Sequence, residues 1–203
     1  MAINVTSANT TTQITANTTG DVYIVLPDVF VTTTGDAVNG ANTTFNKSIL
    51  IHGGLVAEID GIELGSTNSG GSNSVHVTPT GSIFAEQNGV DSEGGSLHFL
   101  NEGSIFARSD AVFLFDNSNE FINYGSVISL VDAVDATGDF TKITNYGLIQ
   151  GADEALEVSG NGIVITNYGT IKSTDSSATN EGIEVSSNPG DSTRIIHKGC
   201  RAA

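Results

Sequence analysis

Ile143-Thr144-Asn145-Tyr146-Gly147-Leu148-Ile149 returns as Ile165-Thr166-Asn167-Tyr168-Gly169-Thr170-Ile171, 22 residues later. Two earlier copies, Phe99-Leu100-Asn101-Glu102-Gly103-Ser104-Ile105 and Phe121-Ile122-Asn123-Tyr124-Gly125-Ser126-Val127, keep the same step, and Gly81 extends the glycine series one place further back. A fixed period of this length predicts a solenoid, in which each repeat is one coil that buries its core against its neighbours.

Within one period, three positions stay apolar. Counted from the glycine, Ile83, Ile105, Val127, Ile149 and Ile171 stand 2 places on, Val90, Val112, Val134 and Leu156 stand 9 on, and Phe99, Phe121, Ile143 and Ile165 stand 18 on. Each is flanked by polar residues in short alternation, the pattern of a strand with one face inward. Gly138-Asp139 and Gly160-Asn161 supply turn chemistry between stations. The spacing does not fit the leucine-rich pattern, 22 is not a multiple of the hexapeptide of left-handed β-helices, and the glycine-rich calcium nonapeptide is missing. The sequence therefore predicts an all-β, single-stranded right-handed parallel β-helix with three short strands per coil.

Asn101, Asn123, Asn145 and Asn167 share the parity of the apolar station two residues before them. They are expected to point inward and stack at about 4.8 Å as an amide ladder. Tyr124, Tyr146 and Tyr168, one place on, are expected to point outward and stack ring on ring.

The period breaks in three regions. Residues 1–40 read as an N-terminal cap with a partial first coil, 41–199 as the β-helix and 200–203 as a tail. Surplus residues fall in a Gly/Ser/Asn stretch from Gly65 to Ser74, and again in Ser173 to Asn180 and around Asn188-Pro189-Gly190. Insertions of this kind project as surface loops. Ile195 and Ile196 begin a coil that Cys200 and Ala203 leave unfinished. An open end of this kind is expected to be covered by the remainder of a longer chain or by a second copy, most simply a homodimer through residues 185–203.

Charge narrows the partners. Seven basic residues stand against 23 acidic ones, a formal charge of −16. Such a surface repels phosphate backbones and anionic membranes, so neither nucleic-acid binding nor membrane insertion is expected. The single cysteine, Cys200, excludes a disulfide framework within the chain. The start of the sequence has no basic region followed by an apolar run, so export is expected without a cleavable signal of the usual kind.

The apolar-x-Asn-x-Gly-x-aliphatic coil, with its Asp-Ala-Val step at Asp132-Ala133-Val134, resembles right-handed β-helices of the pectin-lyase-like superfamily. More narrowly it is similar to repeats of bacterial autotransporter passengers and of type I-secreted, haemolysin-type calcium-binding proteins. The resemblance spans about residues 41–199 and implies a secreted or cell-surface location with a structural or adhesive role. The same superfamily includes polysaccharide lyases and hydrolases, so a carbohydrate-active enzyme and a non-catalytic carbohydrate-binding module are the alternatives, with polysaccharide as the partner.

Candidate chemistry lies in two acidic columns. Asp110, Asp132 and Glu154 stand 7 places after their glycines, with Asn88, Asp60 and Glu181 in the same series. Glu63, Asp91, Asp135, Glu157 and Glu184 form a second column 3 residues later, interrupted by Phe113. Carboxylates stacked at strand spacing repel one another, and a divalent cation relieves that repulsion. Asp110, Asp132, Glu154, Asp135 and Glu157 are thus the candidate ligands for Ca²⁺, the one cofactor the pattern admits. A solvated acidic face is the competing reading. No catalytic set is assigned, because Arg108, Lys142 and Lys172 occupy different places in the coil and converge on no acidic pair. Along the outward column His98, Glu120, Lys142, an ion pair is expected between Glu120 and Lys142.

Overall fold

The computed structural model describes residues 1–40, 45–65, 71–94, 96–174, 182–186 and 192–198. Alternating short apolar runs with a period near 22 leave no room for helices between strands. The described residues accordingly form three parallel sheets of nine, seven and eight strands. Each coil passes through sheet A, sheet B and sheet C in turn, and the next coil stacks in register beside it. Sheet A runs from the Ile3–Thr6 strand at one edge to Thr193–His197 at the other, through Val22–Val25, Ser48–Ile51, Ser72–Val77, Ser96–Asn101, Glu120–Asn123, Lys142–Asn145 and Ile163–Asn167. The chain is a right-handed parallel β-helix of about seven turns.

The predicted stations form the core, except that Ile171 is only partly buried against it. Ile83, Val90, Phe99, Ile105, Val112, Phe121, Val127, Val134, Ile143, Ile149, Leu156 and Ile165 are all buried. Phe99 and Phe121 pack inside with their rings tilted by 33° and their centroids 4.9 Å apart. Residues between the stations face outward, half-buried, which is the alternation a pleated strand imposes.

Each of the three corners carries its own side-chain ladder. At the corner from sheet A to sheet B, Asn101, Asn123 and Asn145 each donate through Nδ2 to Oδ1 of the next asparagine over 2.8 Å. Asn167 ends the run on Nδ1 of His197 at 3.1 Å. All four asparagines are buried, so the ladder meets hydrogen-bonding needs that burial would otherwise leave open. The glycine two places on is required by close approach: a Cβ at Gly125, Gly147 or Gly169 would collide with the carbonyl oxygen of the glycine one coil back. From sheet B to sheet C, an aspartate or asparagine oxygen accepts the backbone N–H of its counterpart one coil on. From sheet C to sheet A, the N–H of Asp139 donates to Asn117 Oδ1 at 2.7 Å, that of Asn161 to Asp139 Oδ1 at 2.8 Å, and that of Ser192 to Asn161 Oδ1 at 3.1 Å.

Tyr124, Tyr146 and Tyr168 stack on the outside, with centroids 4.5 and 4.8 Å apart and planes within 2° and 4°. Lys198 Nζ closes the stack, 5.3 Å from the Tyr168 ring centre. Glu120 pairs with His98 at 3.4 Å rather than with Lys142, although it stands beside Lys142 in register.

Residues 22–40 complete a coil, because the Phe30–Thr33 strand supplies its sheet B station. Residues 1–16 lie against that coil as a thinner one, with strands Ile3–Thr6 and Ile14–Thr15 and a single bridge from Thr10 to Val31. Sheet A already begins again at Ser72, which shortens the loop expected over Gly65 to Ser74. The loop segments at 66–70, 175–180 and 187–190, and the tail at 200–203, lie outside the described residues. In the described part of 185–203, Ile195 occupies the core station and is 46% exposed.

Candidate functional site

The two acidic columns lie side by side where the chain turns from sheet B into sheet C. The first begins one coil earlier than the sequence indicated, at Asp36. Asp36 Oδ1 accepts the N–H of Asp60 at 3.3 Å, and Asp60 Oδ1 accepts that of Asn88 at 2.8 Å. Asn88 then serves Asp110 at 3.3 Å, Asp110 serves Asp132 at 3.4 Å, and Asp132 serves Glu154 at 2.9 Å. One oxygen each of Asp36, Asp60, Asp110 and Asp132 therefore holds the corner together, and Asp60, Asp132 and Glu154 are buried there. Asx side chains suit this task because the short side chain reaches a neighbouring N–H without disturbing the turn.

The second column faces outward from sheet C in the register Asn39, Glu63, Asp91, Phe113, Asp135, Glu157, Glu184. Asn39 donates to Asp36 at 2.9 Å and also to Glu63, and Asn88 donates to Asp91 at 3.2 Å. Amides in the columns thus separate acids that would otherwise meet. Burial raises the carboxyl pKa values all the same, that of Glu63 beside Asn39 to about 7. Burial pushes Asp135 up to about 7, with the charges of Glu157 and Asp110 adding to the shift. Burial likewise raises Asp110 to about 6, assisted by Asp132. Asp91 is raised to about 6 by burial, partly offset by Asn88. Glu154 is raised by burial and by its hydrogen bond to the Asp132 carboxyl, and Glu157 by burial and the charge of Asp132.

Of the five predicted ligands, Asp132 and Glu154 come together. The third member of their cluster is Asp153, and one carboxylate oxygen from each of the three lies within 4.8 Å of the others. That separation fits oxygens sharing one Ca²⁺, which binds at about 2.3–2.6 Å. Asp135 and Glu157 stand next to each other on adjacent strands, and Asp110 meets Asp132 through the corner ladder. The five do not surround one point. Asp153 escapes a reading by columns because it precedes its column by one residue and is exposed. Glu181 lies outside the described residues.

Arg108 and Lys47 are engaged away from the acidic columns. Arg108 Nε pairs with Glu86 at 2.6 Å on the outside of sheet B. Lys47 is buried, its ammonium held below the usual lysine range by desolvation, and its Nζ fills the space left by the missing side chain of Gly40. The periodic pattern gave no sign of Lys47, which precedes the regular coils. No helix among the described residues is long and apolar enough to cross a membrane. The chain matches no protein family, no curated protein and no solved structure.

Proposed function

We propose that this chain is a structural or adhesive module of a secreted or cell-surface protein, a stiff acidic rod that spaces or presents other parts. The observation that carries this reading is the set of hydrogen-bonded ladders at all three corners. They tie each coil to the next along the axis, over about seven turns at roughly 4.8 Å each. The similarity of the coil to bacterial autotransporter passengers and type I-secreted calcium-binding proteins supports the same reading, including export and a bacterial setting. Self-association, or continuation into further coils, suits a rod of this kind.

The Asp132–Asp153–Glu154 cluster favours a second property of the same module, weak binding of divalent cations on its acidic face. The test of the main reading separates it from a carbohydrate-active enzyme. Protein immobilised on beads is exposed to neutral and acidic polysaccharides, and retention is measured together with release of reducing ends and of unsaturated sugars. A structural or adhesive rod releases neither product, whether or not it retains polymer. Release of either one, abolished by Asp135→Asn, overturns the proposal in favour of the enzyme.

A further inference from the structure

Among the described residues, the Ile3–Thr6 strand ends sheet A and pairs on one side only, with Val22–Val25. The N–H groups of Val22 and Leu26 donate to the carbonyls of Ala2 and Thr6. Backbone groups alternate along a strand, so Ala2, Asn4 and Thr6 turn theirs toward the next coil, and Ile3 and Val5 turn theirs toward the open edge. The side chains of Ile3 and Val5 are 63% and 50% exposed on the outer face. The edge lacks the lysine, proline or inward charge with which proteins commonly block further pairing.

Charge identifies the occupant. The molecule carries −16, yet no Asp, Glu, Lys or Arg occurs before Asp21. Two copies repel one another across most of their surface, and the N-terminal coil is a face without side-chain charge. The edge is also self-complementary. With a two-fold axis at Asn4, Ile3 lies opposite Val5 of a second copy, and Val5 opposite its Ile3. These are the residues whose backbone groups are open, and each pair exchanges two hydrogen bonds. Asn4 then faces its own copy at the close, non-hydrogen-bonded position, with Cα atoms about 4.5 Å apart.

We infer that two copies of this chain join end to end through the N-terminal edge of sheet A, with their Ile3–Thr6 strands antiparallel about Asn4. The surface is distinct from the C-terminal one expected from the sequence.

Sedimentation velocity over a concentration series, with and without added NaCl, tests the inference. The expected result is a monomer–dimer equilibrium that NaCl strengthens by screening the net charge. Ile3→Lys and Val5→Lys, both at exposed positions, each weaken it at least roughly tenfold, with circular dichroism unchanged. In a Cys200→Ser background, Asn4→Cys forms an intermolecular disulfide under mild oxidation, since directly opposed residues at this spacing satisfy disulfide geometry. Val5→Cys, which does not oppose itself, does not. A monomer at every concentration overturns the inference. So does a dimer that ignores Ile3→Lys and Val5→Lys but yields to Ile196→Lys, or equal cross-linking of the two cysteine variants.

Discussion

Asn145 donates through Nδ2 to Oδ1 of Asn167, one coil on, over 2.8 Å, while its own Oδ1 accepts the N–H of Gly147 at 3.1 Å. The same Nδ2 lies 3.1 Å from the carbonyl of Thr170. One amide thus closes its own turn and fastens it to the next coil. Asn145→Leu removes both functions and takes from Asn123 its amide acceptor, leaving it the carbonyls of Leu148 and Gly125. The expected loss is about 1–3 kcal/mol for each stranded partner, read as a lower denaturant midpoint with unchanged slope. Asn145→Asp keeps the acceptor for Gly147 but loses the donor to Asn167, and should fall between the wild type and Asn145→Leu.

Gly147 stacks on the carbonyl of Gly125, with no room for a methyl group between them. Gly147→Ala should therefore cost at least about 1–3 kcal/mol by overpacking against backbone. Ser126→Ala, beside the preceding glycine but on the outward face, should change stability by less than about 0.5 kcal/mol. Thermal unfolding of the two variants checks the contrast.

Acidification should stabilise the fold. Asp110, Asp91 and Asp135 hold protons up to about 6, 6 and 7 in the folded chain, against about 3.9 when unfolded. Groups raised on folding contribute stability that is fully present below the unfolded value and lost as pH rises through the folded one. The melting temperature should accordingly fall between about pH 4 and about pH 7 and level off above, and Asp135→Asn should flatten that dependence. In a domain of this size about 1 kcal/mol corresponds to ~2–4 °C, so calorimetry at matched ionic strength resolves the change.

Ca²⁺ should act in the opposite pH sense, because it competes with the proton on Glu154, a member of the cluster whose carboxyl is raised to about 7, mainly by burial. A ligand that binds only the folded state raises the melting temperature. Millimolar Ca²⁺ should do so more at pH 8 than at pH 5, and beyond the effect of NaCl at equal ionic strength. Asp153→Asn, at an exposed position outside the corner ladder, should reduce the Ca²⁺ effect without lowering stability in its absence. A shift equal to that in NaCl would leave only a solvated acidic face.

The architecture was legible because it rests on repetition. Asn101 to Asn167 and Ile83 to Ile171 announce a coil each time they recur, and the asparagine and tyrosine stacks follow from parity alone. The acidic columns were legible as columns, but not as hydrogen-bonding devices. Nothing in the spacing of Asp110 and Asp132 says that one oxygen is committed to a backbone N–H. Asp153 and Lys47 were missed for a different reason: each is brought to its neighbours by a single local event, one beside a repeat and one before the regular repeats begin. His98 drew Glu120 away from Lys142 because both flank Glu120 in the same register, and sequence order does not rank them.

The most direct measurement is the distance between spin labels placed along one outward column of sheet B. Thr32, Val56, Phe84, Phe106, Ile128, Gln150 and Lys172 follow one another in register. In a Cys200→Ser background, labels at Thr32 and Gln150 should lie about 24 Å apart, and labels at Thr32 and Lys172 about 29 Å apart, one strand spacing of roughly 4.8 Å more. Both distributions should be narrow. Broad distributions, or a separation that does not grow by one strand spacing per coil, would contradict a rod of parallel coils locked in register.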